Sequence, residues 1–209
     1  MALELTPDYG WKTSEAAYSC PYVAPYVLRL LKQLQVRKVL DLGAGNGALS
    51  SLIASAGYEV CGVDSDANGV RIAKQAHPEI PFYHYGVQDD PAALVAQAGT
   101  FDVVVATEVI EHLFSPHLLP RYAAPCLNEN GHLVMTTPYH GYLKNLALSL
   151  LGKWDHHHTA LWHGGHIKFW SRATLSRLLS ENGFRVTNFG GVGRLPYFWK
   201  SMVLVATKM

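Results

Sequence analysis

Two acids and three glycines in the first third of the chain have the spacing of a nucleoside site. Asp41 is followed by Gly43, Ala44, Gly45, Asn46 and Gly47, with Val39-Leu40 before the acid and Ala48, Leu49, Leu52 and Ile53 after it. Alternating glycines between a strand and a helix let the backbone bend tightly and let a ligand approach without a Cβ in the way. The run Tyr58-Glu59-Val60-Cys61-Gly62-Val63 reads as the next strand and delivers Asp64, then Ser65. A carboxylate about twenty residues after the first glycine is placed to receive both hydroxyls of a ribose. Gly43, Gly45 and Ala48 also satisfy the looser dinucleotide fingerprint. Asp41 would repel a pyrophosphate there and attract an ammonium, and the chain is short for a separate dehydrogenase domain. The expectation is a cationic nucleoside, with NAD as the alternative.

A second group could handle protons or a metal ion. Glu108, Glu111 and His112 have the i, i+3, i+4 spacing of one helical face. Six of the eleven histidines fall between His140 and His166. Histidine is the natural base near neutral pH, and the candidates are His166, His163, His140 and His112, in that order. Glu108, Glu111, His112 and His166 are the candidate ligands of a divalent ion; two carboxylates and two imidazoles suit Mg²⁺, Mn²⁺ or Fe²⁺ better than a structural zinc.

The elements that must position these groups alternate. A helix is expected from Pro21 to about Gln35, and another from Ala67 to Ala76, stopped by His77-Pro78. Phe82 to Val87 reads as a third strand ending in Gln88-Asp89-Asp90, with Asp90 capping the next helix. Phe101 to Ala106 is a continuous apolar run, the mark of a strand buried on both faces, and leads into Thr107 and Glu108. A helix from Ser115-Pro116 to about Leu127, a turn at Asn130-Gly131 and a fifth strand from His132 to Thr137 follow. Ser171 caps a late helix, and Phe184–Phe189 and Met202–Thr207 are the last strands. Alternating strands and helices give a doubly wound sheet with its site at the strands' carboxyl ends.

At this point the motif order resembles the class I S-adenosylmethionine-dependent methyltransferases, from about Arg37 to the C-terminus. The resemblance implies a Rossmann-like α/β fold: a seven-stranded, mostly parallel sheet, the last strand antiparallel, with a lid insertion after strand 5. It implies S-adenosylmethionine held by Asp41, Gly43 to Gly47, Asp64 and Ser65, with Gln88 or Asp89 at the adenine and Thr107 and Glu108 beside them; Asp89 is the better-placed acid for the adenine amino group. Glu108 to Leu113, Thr136-Thr137-Pro138 and His166 to Arg172 are similar to the small-RNA 2′-O-methyltransferases, where the matching glutamates and histidines hold a metal. The same Glu-x-x-Glu-His run, followed by an apolar helix, resembles the ubiquinone-biosynthesis O-methyltransferases, which act on phenolic rings with isoprenoid tails.

One domain over residues 1–209 is expected, with a helical cap at 1–36 and a histidine-rich, substrate-side insertion at 139–170. Trp11 and Tyr18 in the cap either close over the cofactor or cover the sheet. Tyr142 to Leu151 is apolar at helical spacing. It forms a pocket for a greasy small-molecule acceptor, touches a membrane surface peripherally, or packs on its own domain. The histidines after it belong to that lid, bind the metal, or form a solvated loop. Net charge is +1, with no basic run, which disfavours a nucleic-acid partner. The three cysteines lack any Cys-x-x-Cys spacing, and the N-terminus has no signal-like apolar core, so a cytoplasmic setting is expected. Nothing in the pattern sets an oligomeric state. The expected activity is O-methylation of a phenol or quinol. The alternatives are metal-assisted 2′-O-methylation of RNA and a non-catalytic S-adenosylmethionine-binding subunit.

Overall fold

The computed structural model describes residues 9–158, 161, 162 and 164–209. Its strands are β1 Lys38–Leu42, β2 Glu59–Asp64, β3 Phe82–His84, β4 Phe101–Thr107, β5 Leu127–Pro138, β6 Phe184–Val192 and β7 Ser201–Lys208. They form one sheet in the order β3-β2-β1-β4-β5-β7-β6. Strands β1 to β5 pair parallel, while β7 runs antiparallel to both β5 and β6. The chain builds outward from β1 to β3 and then returns to place β4 on the other side of β1. That reversal opens a crevice above the carboxyl ends of β1 and β4.

The two central strands are buried on both faces. In β4, Val103 and Val105 join one apolar layer while Val104 and Ala106 join the other. Helices α1 (Cys20–Leu34), α2 (Ala48–Ser55) and α3 (Ala67–Ala76) cover the first layer through Val27, Leu31, Ile53 and Val70. The second layer is closed by α4 (Pro91–Ala98), α5 (Leu118–Cys126) and α8 (Arg172–Glu181) through Leu94, Leu119 and Leu175. Each such fully buried side chain contributes about 1.5–3 kcal/mol. The crevice therefore sits on a rigid floor.

The insertion after β5 holds α6 (Tyr142–Leu150) and α7 (Trp154–His158). Tyr142, Leu143, Leu150 and Leu151 are exposed, so much of this apolar segment is not packed on its own domain. Local boundaries also differ from the sequence expectation. Strand β3 stops at His84, because Tyr85 to Val87 turn into the crevice wall. Strand β5 begins at Leu127, before the expected turn, and accommodates Asn130 in the left-handed region at φ 58°.

Candidate active site

The turn after β1 is pinned from two sides. The Gly43 and Ala44 N–H groups donate to the Val63 carbonyl at 2.8 and 2.9 Å. The Gly45 N–H donates to Asp64 Oδ2 at 2.7 Å, and the Asp66 N–H to Asp64 Oδ1 at 2.7 Å. Gly45 has φ 53°, and a Cβ there would stand 2.7 Å from the Trp11 ring. Glycine is required by conformation and by crowding alike. Asp41 lies beneath: its Oδ2 accepts from the Ser50 hydroxyl at 2.6 Å, while Oδ1 is buried without a partner. Burial pushes the Asp41 carboxyl up to about 7 and raises Asp64 as well. Both acids are therefore primed for a ligand carrying positive charge or hydroxyl donors.

Residues 9–15 cross the turn as a strap. The Asn46 side-chain amide donates to the Thr13 and Glu15 carbonyls at 2.8 and 2.7 Å, and the Asn68 amide to the Trp11 carbonyl at 2.7 Å. The Tyr9 N–H reaches Asp66 Oδ2 at 3.3 Å. Trp11 thus lies over Gly45 and lines the crevice, rather than covering the outside of the sheet.

The opposite wall grows from the end of β4. Glu108 is left-handed at φ 53° and half-buried, its Oε1 accepting from the Thr136 hydroxyl at 2.7 Å. Burial raises its carboxyl to about 7. A single 3₁₀ turn, Ile110–His112, then carries Glu111 and His112, in place of the regular helical turn that the i, i+3, i+4 spacing suggests. The Glu111 main-chain carbonyl accepts from the Ile167 and Lys168 N–H groups at 2.9 and 3.0 Å. Those two bonds draw His166 alongside His112, ring centroids 4.9 Å apart. His112 Nδ1 lies 2.6 Å from the Gly164 carbonyl, so Nδ1 carries the proton and Nε2 is left as the acceptor. Both carboxylate oxygens of Glu111 are fully buried without a partner, and burial followed by repulsion from Glu108 raises its carboxyl well above the usual range. One ligand atom from each of Glu111, His112 and His166 falls within 4.8 Å of the others. Burial lowers His112 and brings His166 down to about 4.

A cavity of about 1110 Å³ joins the two halves. Its lining includes Asp41, Gly43, Ala44, Gly45, Asn46, Asp64, Ser65, Gln88, Thr107 and Glu108, as well as His112 and His166. Four candidates lie elsewhere. Glu111 is fully buried behind the lining. Gly47 packs on Ala73 and Phe82; Asp89 is exposed and accepts from the Gly86 N–H at 2.7 Å; His140 sits in an aromatic cluster with His158 and Phe169. Gln88 rather than Asp89 therefore faces the crevice. His163 lies outside the described residues. Glu108 is not part of the three-ligand group, its carboxylate being held by Thr136. Lining residues that motif reading did not single out include Tyr22, Lys144, Arg194 and Lys200. They sit on α1, the insertion and the β6–β7 loop, and no local spacing marked them.

A methyltransferase domain model matches residues 16–188. The chain belongs to this family. Among curated proteins, the ubiquinone biosynthesis O-methyltransferase of Azorhizobium caulinodans is 31% identical over 170 residues, which cover 78% of this chain and 65% of that protein. The corresponding enzyme of Coxiella burnetii is 27% identical over 192 residues, covering 86% and 81%. The chain thus spans just under two thirds of the Azorhizobium protein. Among solved structures, magnesium protoporphyrin IX methyltransferase from Synechocystis with bound S-adenosylhomocysteine superposes with a TM-score of 0.65 at 23% identity, covering 90% of this chain and 82% of the other. That similarity establishes the shared fold.

Proposed function

We propose that the protein transfers the methyl group of S-adenosylmethionine to a hydroxyl of a small hydrophobic acceptor of the phenol or quinol type. One observation carries this reading: a single cavity joins the glycine turn and Asp64 to the His112–His166 pair, with Ala147, Leu148, Leu151 and Trp162 supplying apolar wall. The similarity to ubiquinone biosynthesis O-methyltransferases supports the acceptor class.

In this reading Asp64 accepts from the ribose hydroxyls, and Asp41 Oδ1 faces the donor's ammonium. Gln88 lies at the adenine, and Trp11 covers the bound nucleoside. The donor's methyl is already activated by the sulfonium, so the protein must align an acceptor oxygen with it and remove one proton. His166, neutral at physiological pH because its own pKa is depressed, accepts that proton, and His112 Nε2 lies beside it. Excluding water between apolar walls strengthens these interactions.

A divalent cation fits the same place. The orphaned Glu111 oxygens and the two imidazoles form a donor set, and the residues that would hold the ion are Glu111, His112 and His166. Such an ion would lower the pKa of a hydroxyl bound to it. This cluster is also the observation that favours the ribose 2′-hydroxyl of RNA as acceptor, which would show as association that collapses with added salt. No described helix is long and apolar enough to cross a membrane. The exposed Tyr142, Leu143, Leu150 and Leu151 instead support shallow contact with a lipid surface from which a greasy acceptor is drawn.

The test is formation of S-adenosylhomocysteine from S-adenosylmethionine with a catechol or quinol bearing an alkyl tail. His166→Ala should lower turnover by about 10²-fold or more while donor affinity stays within twofold. Full activity in that variant removes His166 from the reaction. Absence of donor binding at millimolar concentration removes the transferase reading altogether.

A further inference from the structure

The cavity is electrically divided. Its acids, Asp41, Asp64 and Glu108, stand at the strand ends, whereas Lys144, Lys153, Arg194 and Lys200 line it from the insertion and the β6–β7 loop. In a chain whose net charge is only +1, four cations lining one cavity are a local concentration. None of them is ion-paired: the two ion pairs among the described residues are Lys38–Glu59 and Arg177–Glu181.

The fold brings together the backbone that carries two of these cations. The Lys200 N–H closes the β6–β7 loop onto the Val192 carbonyl at 2.9 Å. Gly193, at φ 90°, turns the chain so closely that a Cβ there would stand 2.8 Å from the Lys200 Cβ. Arg194 follows that turn. The Lys200 ammonium is steadied by a 2.8 Å bond to the Tyr18 hydroxyl and by the faces of Tyr18 and Tyr22, 4.4 and 4.8 Å away. Lys144 is only 6% exposed, and its ammonium donates to the Tyr139 carbonyl at 2.8 Å. The charges of Arg194 and Glu108 both reach it. Glu108 offsets part of the Lys144 charge without forming a close ion pair, which leaves the cations of the loop free to receive an opposite charge from a ligand. A guanidinium beside an ammonium is a favourable receiver for a planar oxyanion, since charge-assisted hydrogen bonds are the strong ones.

We propose that the methyl acceptor carries an anionic substituent of the carboxylate kind, received by Arg194 and Lys200 with Lys144 behind them, while its hydroxyl lies toward the His112–His166 pair. The inference rests on the phenol-type reading above and narrows it to acidic phenols. The apolar span between Leu148 and Trp162 accommodates the ring or tail, and the basic wall fixes which end enters first.

The probes are 3,4-dihydroxybenzoate and its methyl ester, which share a ring and both hydroxyls and differ by one charge. Binding to the protein loaded with S-adenosylhomocysteine is measured by calorimetry, and S-adenosylhomocysteine release is followed in turnover. The expected result is tenfold or greater preference for the acid, falling to within about twofold in the Arg194→Gln, Lys200→Gln double variant. An ester bound or methylated as well as the acid overturns the inference and leaves the phenol reading standing, as does a preference that survives the double variant. Should the double variant lose S-adenosylhomocysteine affinity instead, with the acid-to-ester ratio unchanged, these cations serve the donor's own carboxylate and the inference fails. If neither probe binds or reacts, the phenol reading fails and takes the inference with it.

Discussion

At the scale of single residues, the buried acids under the glycine turn are the most informative. Asp64 already braces the Gly45 and Asp66 N–H groups, so its position is fixed before any ribose arrives. Hydrogen bonds to a charged group contribute roughly 1.5–3 kcal/mol each, so Asp64→Ala should weaken S-adenosylmethionine binding by roughly 100-fold or more in calorimetry. Unchanged affinity would remove Asp64 from the site. Asp41 makes a prediction about stability. Its folded pKa of about 7 lies above the ordinary aspartate value because burial disfavours the charged form. Between the unfolded and folded values the native state holds a proton that the unfolded chain has lost, so this residue's contribution falls as pH rises through that window. Asp41→Asn removes the penalty. The variant should gain on the order of 2 kcal/mol relative to the parent between pH 5 and pH 8, read from denaturant melts without ligand. The same change should weaken binding of a donor that carries an ammonium. A stability difference that does not change with pH would show that Asp41 is not held near neutrality.

At the scale of elements, the strap over the glycine turn is held by side-chain amides. Asn46 and Asn68 bond the main-chain carbonyls of Trp11, Thr13 and Glu15, and Trp11 packs on Gly45. Trp11→Ala removes the cover but leaves those bonds to the backbone. Donor affinity should fall about 5–20-fold, in line with the loss of one aromatic face against a base, while the melting temperature moves by no more than 2–3 °C. A large loss of stability with intact affinity would make Trp11 a packing residue. The strap also shows where sequence reading stops. Strands β1, β2 and β4 and their terminal acids were legible because continuous apolar runs and glycine spacing are local signals. The register that brings Trp11 to Gly45 depends on Asn46 and Asn68 reaching back more than thirty positions, and no periodicity records that. Asp89 was favoured over Gln88 on residue type. The turn closing on the Gly86 N–H consumes its carboxylate and leaves Gln88 facing the crevice.

At the scale of the whole molecule, the Glu111 turn joins two distant parts of the chain. Its carbonyl anchors residues 167 and 168, and its carboxylate, His112 and His166 converge although 54 positions separate the two histidines. That convergence needed the tertiary fold; the sequence supplied the ligand types but placed Glu108 among them, where Thr136 holds it instead. Burial and repulsion from Glu108 raise the Glu111 carboxyl and so favour its protonated form, whose proton a divalent cation must displace. Ion affinity should therefore rise with pH, most strongly where Glu111 begins to ionise. Millimolar Mn²⁺ or Mg²⁺ should raise the melting temperature at pH 8 more than at pH 6, and about 100-fold excess over the dissociation constant corresponds to roughly 2.7 kcal/mol. Glu111→Gln keeps the size of the side chain and removes its charge, and should abolish the shift while leaving donor affinity within twofold. Because His166 enters the site through the segment the ion would fix, amides 164–168 should also gain hydrogen-exchange protection on ion addition. Equal stabilisation of parent and Glu111→Gln would place the ion elsewhere, and no stabilisation of the parent at either pH would leave proton removal to the imidazoles alone.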